Sequence, residues 1–379
     1  MEWQIPLSDI DFGTEEKEAV MNVLETKWLT MGSITQQFEQ AFAAYVGAKH
    51  AIAVTNATAA LHLACVVAGV GPGDEVILPS LTFVATANAV RYTGATPVFE
   101  EITGEQDLNI SLQAIERAIT ARTRAILVMH YGGYACDMPG IRSLAEKHNL
   151  QVIEDAAHAV GSELAGRKLG TWGDIGCFSF FSNKNLTTGE GGMIVTDNDI
   201  YAERLQLLRS HGMTTLTWDR HKGHASSYDV VDLGYNYRID EIRAALGVVQ
   251  LEKLGPNNDR RRRLTQVYRD ALHEFAPQVT LPFADHPGIS AAHLMPVLLP
   301  EGSNKSRFME KMKACKIQTS FHYPPIHTFS AYKQLCNQVS LPITEAVAAR
   351  EVTLPLYPTL REDDVVTVAE TVGGALLQS

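Results

Sequence analysis

A single lysine, Lys184, stands between two asparagines in "GCFSFFSNKNLTTGEGGMIVTDN", residues 176–198. It follows an apolar run that carries Ser179 and precedes glycines at 189, 191 and 192. A lysine amine with a lowered pKa attacks an aldehyde and forms a Schiff base. The competing reading is a solvated turn residue, followed by glycines that only make turns. Two further stretches carry chemistry. "AIAVTNATAAL" passes from an apolar strand pattern through Asn56, Ala57 and Thr58 into a helical one. The free N–H groups and partial positive charge of a helix start bind phosphate, and Thr58 adds a hydroxyl. Alternatively, Asn56 or Thr58 simply caps the helix. "LQVIEDAA" ends an apolar strand on Glu154 and Asp155. A carboxylate there is costly without a partner. That partner is either a cationic ring nitrogen of a cofactor or an internal Arg or Lys.

Pyridoxal 5'-phosphate (PLP) requires a phosphate cradle, an acid on its pyridine nitrogen, an aromatic packing surface and a Schiff-base lysine. The helix start at Ala57 and Thr58, Asp155, Phe83 and Lys184 offer all four. Each follows a strand pattern, and ligands of open parallel sheets bind beyond the carboxyl ends of the strands. The combination is far more specific than any one member.

The elements that must position these residues alternate. Apolar runs at 51–56, 74–80, 96–101, 124–130 and 150–157 are separated by helical spacings. That order predicts an α/β fold with a mostly parallel mixed sheet covered on both faces. Residues 212–237 show no period and read as a long functional loop. Its His221 and His224 lack acidic or thiol partners at ligand spacing, so no metal site is expected. An amphipathic helix over 239–254 is expected to end at "PNN", with a second long helix starting near Asp259. Its basic run, Arg260 to Arg263, reads as a solvated face. The later segments suggest a smaller α+β unit. The expected division is a large domain over 14–250 and a small one over 251–379. The strand-like residues 1–13 pack on one of the two.

Composition excludes several classes. A chain of 379 residues with 45% hydrophobic and 20% charged residues is ordinary for a globular protein. Its formal net charge of −11 argues against nucleic-acid binding. Five cysteines are scattered without a CxxC pair, most among apolar neighbours, and read as buried free thiols in a reducing compartment. No signal-peptide pattern and no membrane-spanning apolar run is found, so a cytoplasmic location is expected.

The ordered motifs "GDEVILPSLTFVATANAVRYTGATPVFEEI", "VIEDAAHAVGSELAGRKLGTWGDIGCFSFFSNKNLTTGEGGMIVTDN", "LGYNYRIDEIRAALGVVQLEKL", "FHYPPIH" and "LPLYPTL" cover essentially the whole chain. They resemble the DegT/DnrJ/StrS family of PLP-dependent nucleotide-sugar aminotransferases. The resemblance implies the aspartate-aminotransferase type fold (PLP fold type I) and a homodimer with shared active sites. It makes Lys184 the Schiff-base lysine and general acid/base, and Asp155 the partner of pyridine N1. Phe83 packs on the ring, His158 reaches the ring oxygen, and Ala57, Thr58 and Ser179 hold the phosphate. Asn236 of the other subunit joins that cradle. Arg238, His322, Tyr323 and His327 become candidates for contacting sugar and diphosphate, although histidines beside prolines are often structural. The chain departs from the family's usual Ser-Gly-Thr with Asn56-Ala57-Thr58, and from its usual Gln with His158. The implied reaction moves an amino group, with glutamate as donor, to a nucleotide-linked keto-deoxysugar in deoxyaminosugar, polysaccharide or antibiotic biosynthesis. A cyclitol ketone is the alternative acceptor, and a non-catalytic PLP-dependent regulator the alternative role. A sugar dehydrase of the same fold would carry His at the lysine position. A nicotinamide dehydrogenase would carry GxGxxG after the first strand.

Overall fold

The alternating apolar runs form one seven-stranded sheet with helices on both faces. The computed structural model describes residues 3–214, 227–336 and 339–377. The first elements are α1 (Thr14–Thr26), α2 (Ser33–Val46), β1 (His50–Val54), α3 (Ala57–Val67), β2 (Glu75–Pro79), α4 (Val84–Tyr92) and β3 (Thr96–Glu100). Then come β4 (Ile102–Gly104), β5 (Asp107–Ile110), α5 (Leu112–Ala118), β6 (Thr123–Met129), α6 (Met138–His148), β7 (Gln151–Asp155), β8 (Glu163–Leu164) and β9 (Arg167–Lys168). After these follow β10 (Ile175–Ser179), β11 (Gly192–Thr196), α7 (Asp199–Leu208) and α8 (Glu241–Phe275). The last are β12 (Met295–Leu298), α9 (Lys305–Ala314), α10 (Pro342–Arg350), β13 (Glu351–Leu354) and α11 (Glu362–Leu377).

The sheet order is β1-β11-β10-β7-β6-β2-β3. Only β11 runs against its neighbours; the remaining adjacent pairs are parallel. Strands buried on both faces must be apolar on both. Ile52, Ile153, Cys177 and Ile194 accordingly face one cluster with α3. Ala53, Phe178, Phe180 and Met193 face the other, with Phe38 and Phe42 of α2. Those four phenylalanines meet edge-on or tilted at 5.0–6.1 Å between ring centres. This packing locks β10 by alternation: Phe178 and Phe180 point into the core, so Ser179 points to the opposite face.

Three expectations are corrected. The helix expected to stop at "PNN" continues as one 35-residue helix with Pro256 inside it. Proline removes one backbone bond there, but both halves are clamped by packing. Ala244, Leu251 and Leu254 sit in the cluster with Phe38 and Phe42, while Leu264, Tyr268 and Leu272 pack with Val365, Val368 and Val372 of α11. The basic run is not a solvated face throughout: Arg261 is buried and donates to the Leu356 carbonyl at 2.9 Å. The N-terminal segment is not a strand: among its described residues it forms only an isolated bridge, Ile5 to Ile317, with Ile5 packed beside Phe308. Four cysteines are buried and free, whereas Cys315 is free and exposed. His221 and His224 lie outside the described residues. Among the described residues no helix is long and apolar enough to cross a membrane.

Candidate active site

A pocket of about 460 Å³ opens at the carboxyl ends of the parallel strands. Ala57 and Thr58 follow β1, Phe83 follows β2, and Met129, Asp155 and Ser179 end β6, β7 and β10. Lys184, His158, His322 and Tyr323 complete the wall, so nine of the twelve residues singled out by sequence converge here: Ala57, Thr58, Phe83, Asp155, His158, Ser179, Lys184, His322 and Tyr323.

The α3 turn shows why the glycine-rich return exists. Asn56 caps the helix, its Oδ1 accepting from the Ala59 N–H at 2.8 Å. The N–H groups of Ala57 and Thr58, in the first turn, have no intrahelical acceptor. A Cβ on Gly192 would lie 2.6 Å from the Asn56 carbonyl carbon and 2.8 Å from the Ala57 nitrogen. Only glycine lets β11 lie this close to the helix start.

Glu154 and Asp155 turn opposite ways, as strand alternation requires. Glu154 accepts from His130 Nε2 at 2.8 Å and from the N–H groups of Gly170 and Gly173. Asp155, only 4% exposed, accepts from Thr86 Oγ1 at 2.8 Å and from Ala157 N–H at 3.1 Å. Among the described residues no cation pairs with it within 4.0 Å. Burial pushes its pKa up, against the pull of Thr86 and of the more distant Lys184.

Lys184 is half-buried at the pocket wall, and desolvation lowers its amine to about 8 although Asp155 pulls it upward. Its Nζ lies 3.4 Å from His293 Nε2. His158 is buried and held far below its usual pKa by desolvation and Lys184. Gly132 N–H donates to His158 Nδ1 at 3.3 Å, so the neutral ring carries its proton on Nε2 and donates to Tyr323 Oη at 2.9 Å. Phe83 is exposed on the pocket side, its ring centre 5.9 Å from that of Tyr323. His322 is lowered to about 4 by burial and Lys184, and its Nδ1 bonds Thr353 Oγ1.

Three of the twelve residues stand elsewhere. His327 is buried with both ring nitrogens engaged, Nδ1 with Ser80 Oγ at 2.7 Å and Nε2 with Glu345 at 3.1 Å. Asn236 is exposed and bridges Ser210, and Arg238 donates to Ser210 Oγ at 3.1 Å; neither lines this chain's own pocket. Sequence reasoning missed His293 and Thr86. Thr86 carried a signal, a hydroxyl one turn beyond Phe83. His293 carried none, being a lone histidine before a strand.

Comparison with known proteins agrees with this geometry. The sequence profile of the DegT/DnrJ/EryC1/StrS aminotransferase family matches residues 11–373. The spore coat polysaccharide biosynthesis protein SpsC of Bacillus subtilis is 41% identical over 97% of this chain and 96% of its own. The structure of Helicobacter pylori PseC, an aminotransferase involved in pseudoaminic acid biosynthesis, superposes with a TM-score of 0.91 at 31% identity, covering all of both chains. DesI, solved in the presence of its TDP-sugar product, superposes at 0.88 with 32% identity, over 99% of this chain and 93% of its own.

Proposed function

The chain belongs to the DegT/DnrJ/EryC1/StrS aminotransferase family, and from that premise we propose that it transfers an amino group from glutamate to a nucleotide-linked keto-deoxysugar, using PLP held by Lys184. The observation that carries this reading is the meeting of Lys184 and a cation-free buried Asp155 in one pocket with the open α3 turn. DesI, solved in the presence of its TDP-sugar product, supports the substrate class.

The residues fit the cofactor. A helix start with free N–H groups, approached closely by Gly192, suits a phosphate. Asp155 is a buried acid in want of a cation, and a protonated ring nitrogen is one. When bound, PLP accepts the electrons released as an amino acid loses its α-proton.

The chain's own groups then have defined tasks. Ala57, Thr58 and Ser179 bind the phosphate. Asp155 holds the proton on the ring nitrogen. Phe83 covers the ring face. Lys184 Nζ anchors the cofactor, takes the α-proton of the donor once released, and returns a proton on the acceptor side. An amine lowered to about 8 is suited to both directions near neutral pH. His322 and Tyr323 contact the sugar. Asn236 and Arg238, which do not line their own pocket, serve the site of a second copy.

The test joins labelling to turnover. Borohydride reduction of the PLP-loaded protein should fix the cofactor on Lys184, and Lys184→Ala should abolish transamination. Assay of a panel of ketosugar nucleotides with glutamate should then reveal the acceptor. Labelling of another lysine sinks the assignment.

A further inference from the structure

His293 lies on no element that the chemistry above uses, yet its ring stands against the reacting amine. The hydrogen bonds behind it fix its proton. Asn258 Nδ2 donates to the Val160 carbonyl at 2.9 Å, so Asn258 Oδ1 is an acceptor. Asn185 Nδ2 donates to that oxygen at 2.7 Å and to the Ala291 carbonyl at 2.8 Å. Asn185 Oδ1 can therefore only accept, and its partner at 2.9 Å is His293 Nδ1. A neutral imidazole has one N–H, and here it is on Nδ1. The bare Nε2 is then the atom 3.4 Å from Lys184 Nζ.

The chain of amides also explains the "PNN" stretch inside α8. Asn258, two residues after Pro256, is 2% exposed. It anchors a series of bonds from the Val160 carbonyl through Asn185 to His293.

We propose that His293 is a positioning residue for Lys184: its Nε2 accepts from the Lys184 amine and holds it at the pocket wall, with the tautomer locked by Asn185 and Asn258. This rests on the reading of Lys184 as the reacting amine. His293 does not relay the proton. Burial and the neighbouring Lys184, His158, Arg261 and His322 hold its basicity well below that of the amine at about 8. Asp155 is the one acidic group acting on the amine, and it acts at longer range. The acceptor thus stabilises the ammonium form without taking its proton, and turns Nζ toward the cavity rather than the solvent.

The test uses native protein first. Side-chain nitrogen NMR of His293 should show the Nδ1–H tautomer; an Nε2–H tautomer or a charged ring overturns the proposal. Competitive acetylation of cofactor-free protein, read by peptide mass, gives the Lys184 titration midpoint. In His293→Phe the ammonium loses an acceptor, and the midpoint should fall by about one unit. The same variant should lose roughly tenfold or more in kcat with donor KM little changed. His293→Gln, which keeps an acceptor, should recover most of both. A folded His293→Phe with native midpoint and native kcat overturns the proposal. If borohydride labels a different lysine, the reading of Lys184 falls, while the tautomer and the acetylation midpoint still decide the contact itself.

Discussion

Glu154 and Asp155 are consecutive carboxylates on β7, and Glu154 is the more fully hydrogen-bonded from within the chain. Glu154 is bound by His130 and two glycine N–H groups, whereas Asp155 receives a hydroxyl and one N–H. The two should therefore fail differently. Asp155→Asn should keep its melting temperature and lose a hundredfold or more of turnover, roughly the effect of removing a charge-stabilising group. Glu154→Ala strands three donors and should cost roughly 3–5 kcal/mol of stability. Thermal melts beside initial rates separate the outcomes; near-native turnover in Asp155→Asn refutes the role given to it.

Gly192 is the cheapest way to close the phosphate cradle. Gly192→Ala places a methyl 2.6 Å from the Asn56 carbonyl carbon, so the α3 turn must shift. Cofactor affinity, measured by fluorescence quenching, should fall at least about tenfold. Gly189→Ala, with φ of +80° but nothing near its Cβ, should strain the loop and leave the cradle intact. Equal affinities in the two variants would remove the special place given to Gly192.

Cofactor uptake should follow the Lys184 amine. Its pKa is lowered from 10.5 to about 8, so the neutral nucleophile becomes available as pH rises to 8 rather than beyond 10. At pH 7 about a tenth is neutral, against about 0.03% for an ordinary lysine. The rate of PLP uptake by cofactor-free protein should rise nearly tenfold per unit below pH 7 and level off above about 8. A rate still climbing at pH 10 would mean that the amine is not depressed.

Asn236 and Arg238 are expected to serve the neighbouring subunit. Lys184→Ala and the pair Asn236→Ala with Arg238→Ala should each be inactive alone. Mixed and allowed to exchange, they form heterodimers in which one site carries both defects and the other none. Activity should return to about half of native per heterodimer, with exchange verified by mass. Exchange without activity rejects the shared site.

Much of this was written locally. The alternation of apolar runs set the sheet, because a strand buried on two faces has no place for polar side chains. Lys184, Asp155, Ser179 and Thr58 could be found by position, since each follows a strand and strand ends converge in a parallel sheet. The tertiary structure decided what depends on residues far apart in sequence. His327 looked like its neighbour His322, yet it is buried between Ser80 and Glu345 while His322 lines the pocket. Pro256 read as a helix stop, and packing on two separate clusters overrode it. His293 meets Lys184 across 109 positions. Periodicity and capping are set by residues a few positions apart; a contact across 109 exists only once the chain has closed, and no local pattern records it.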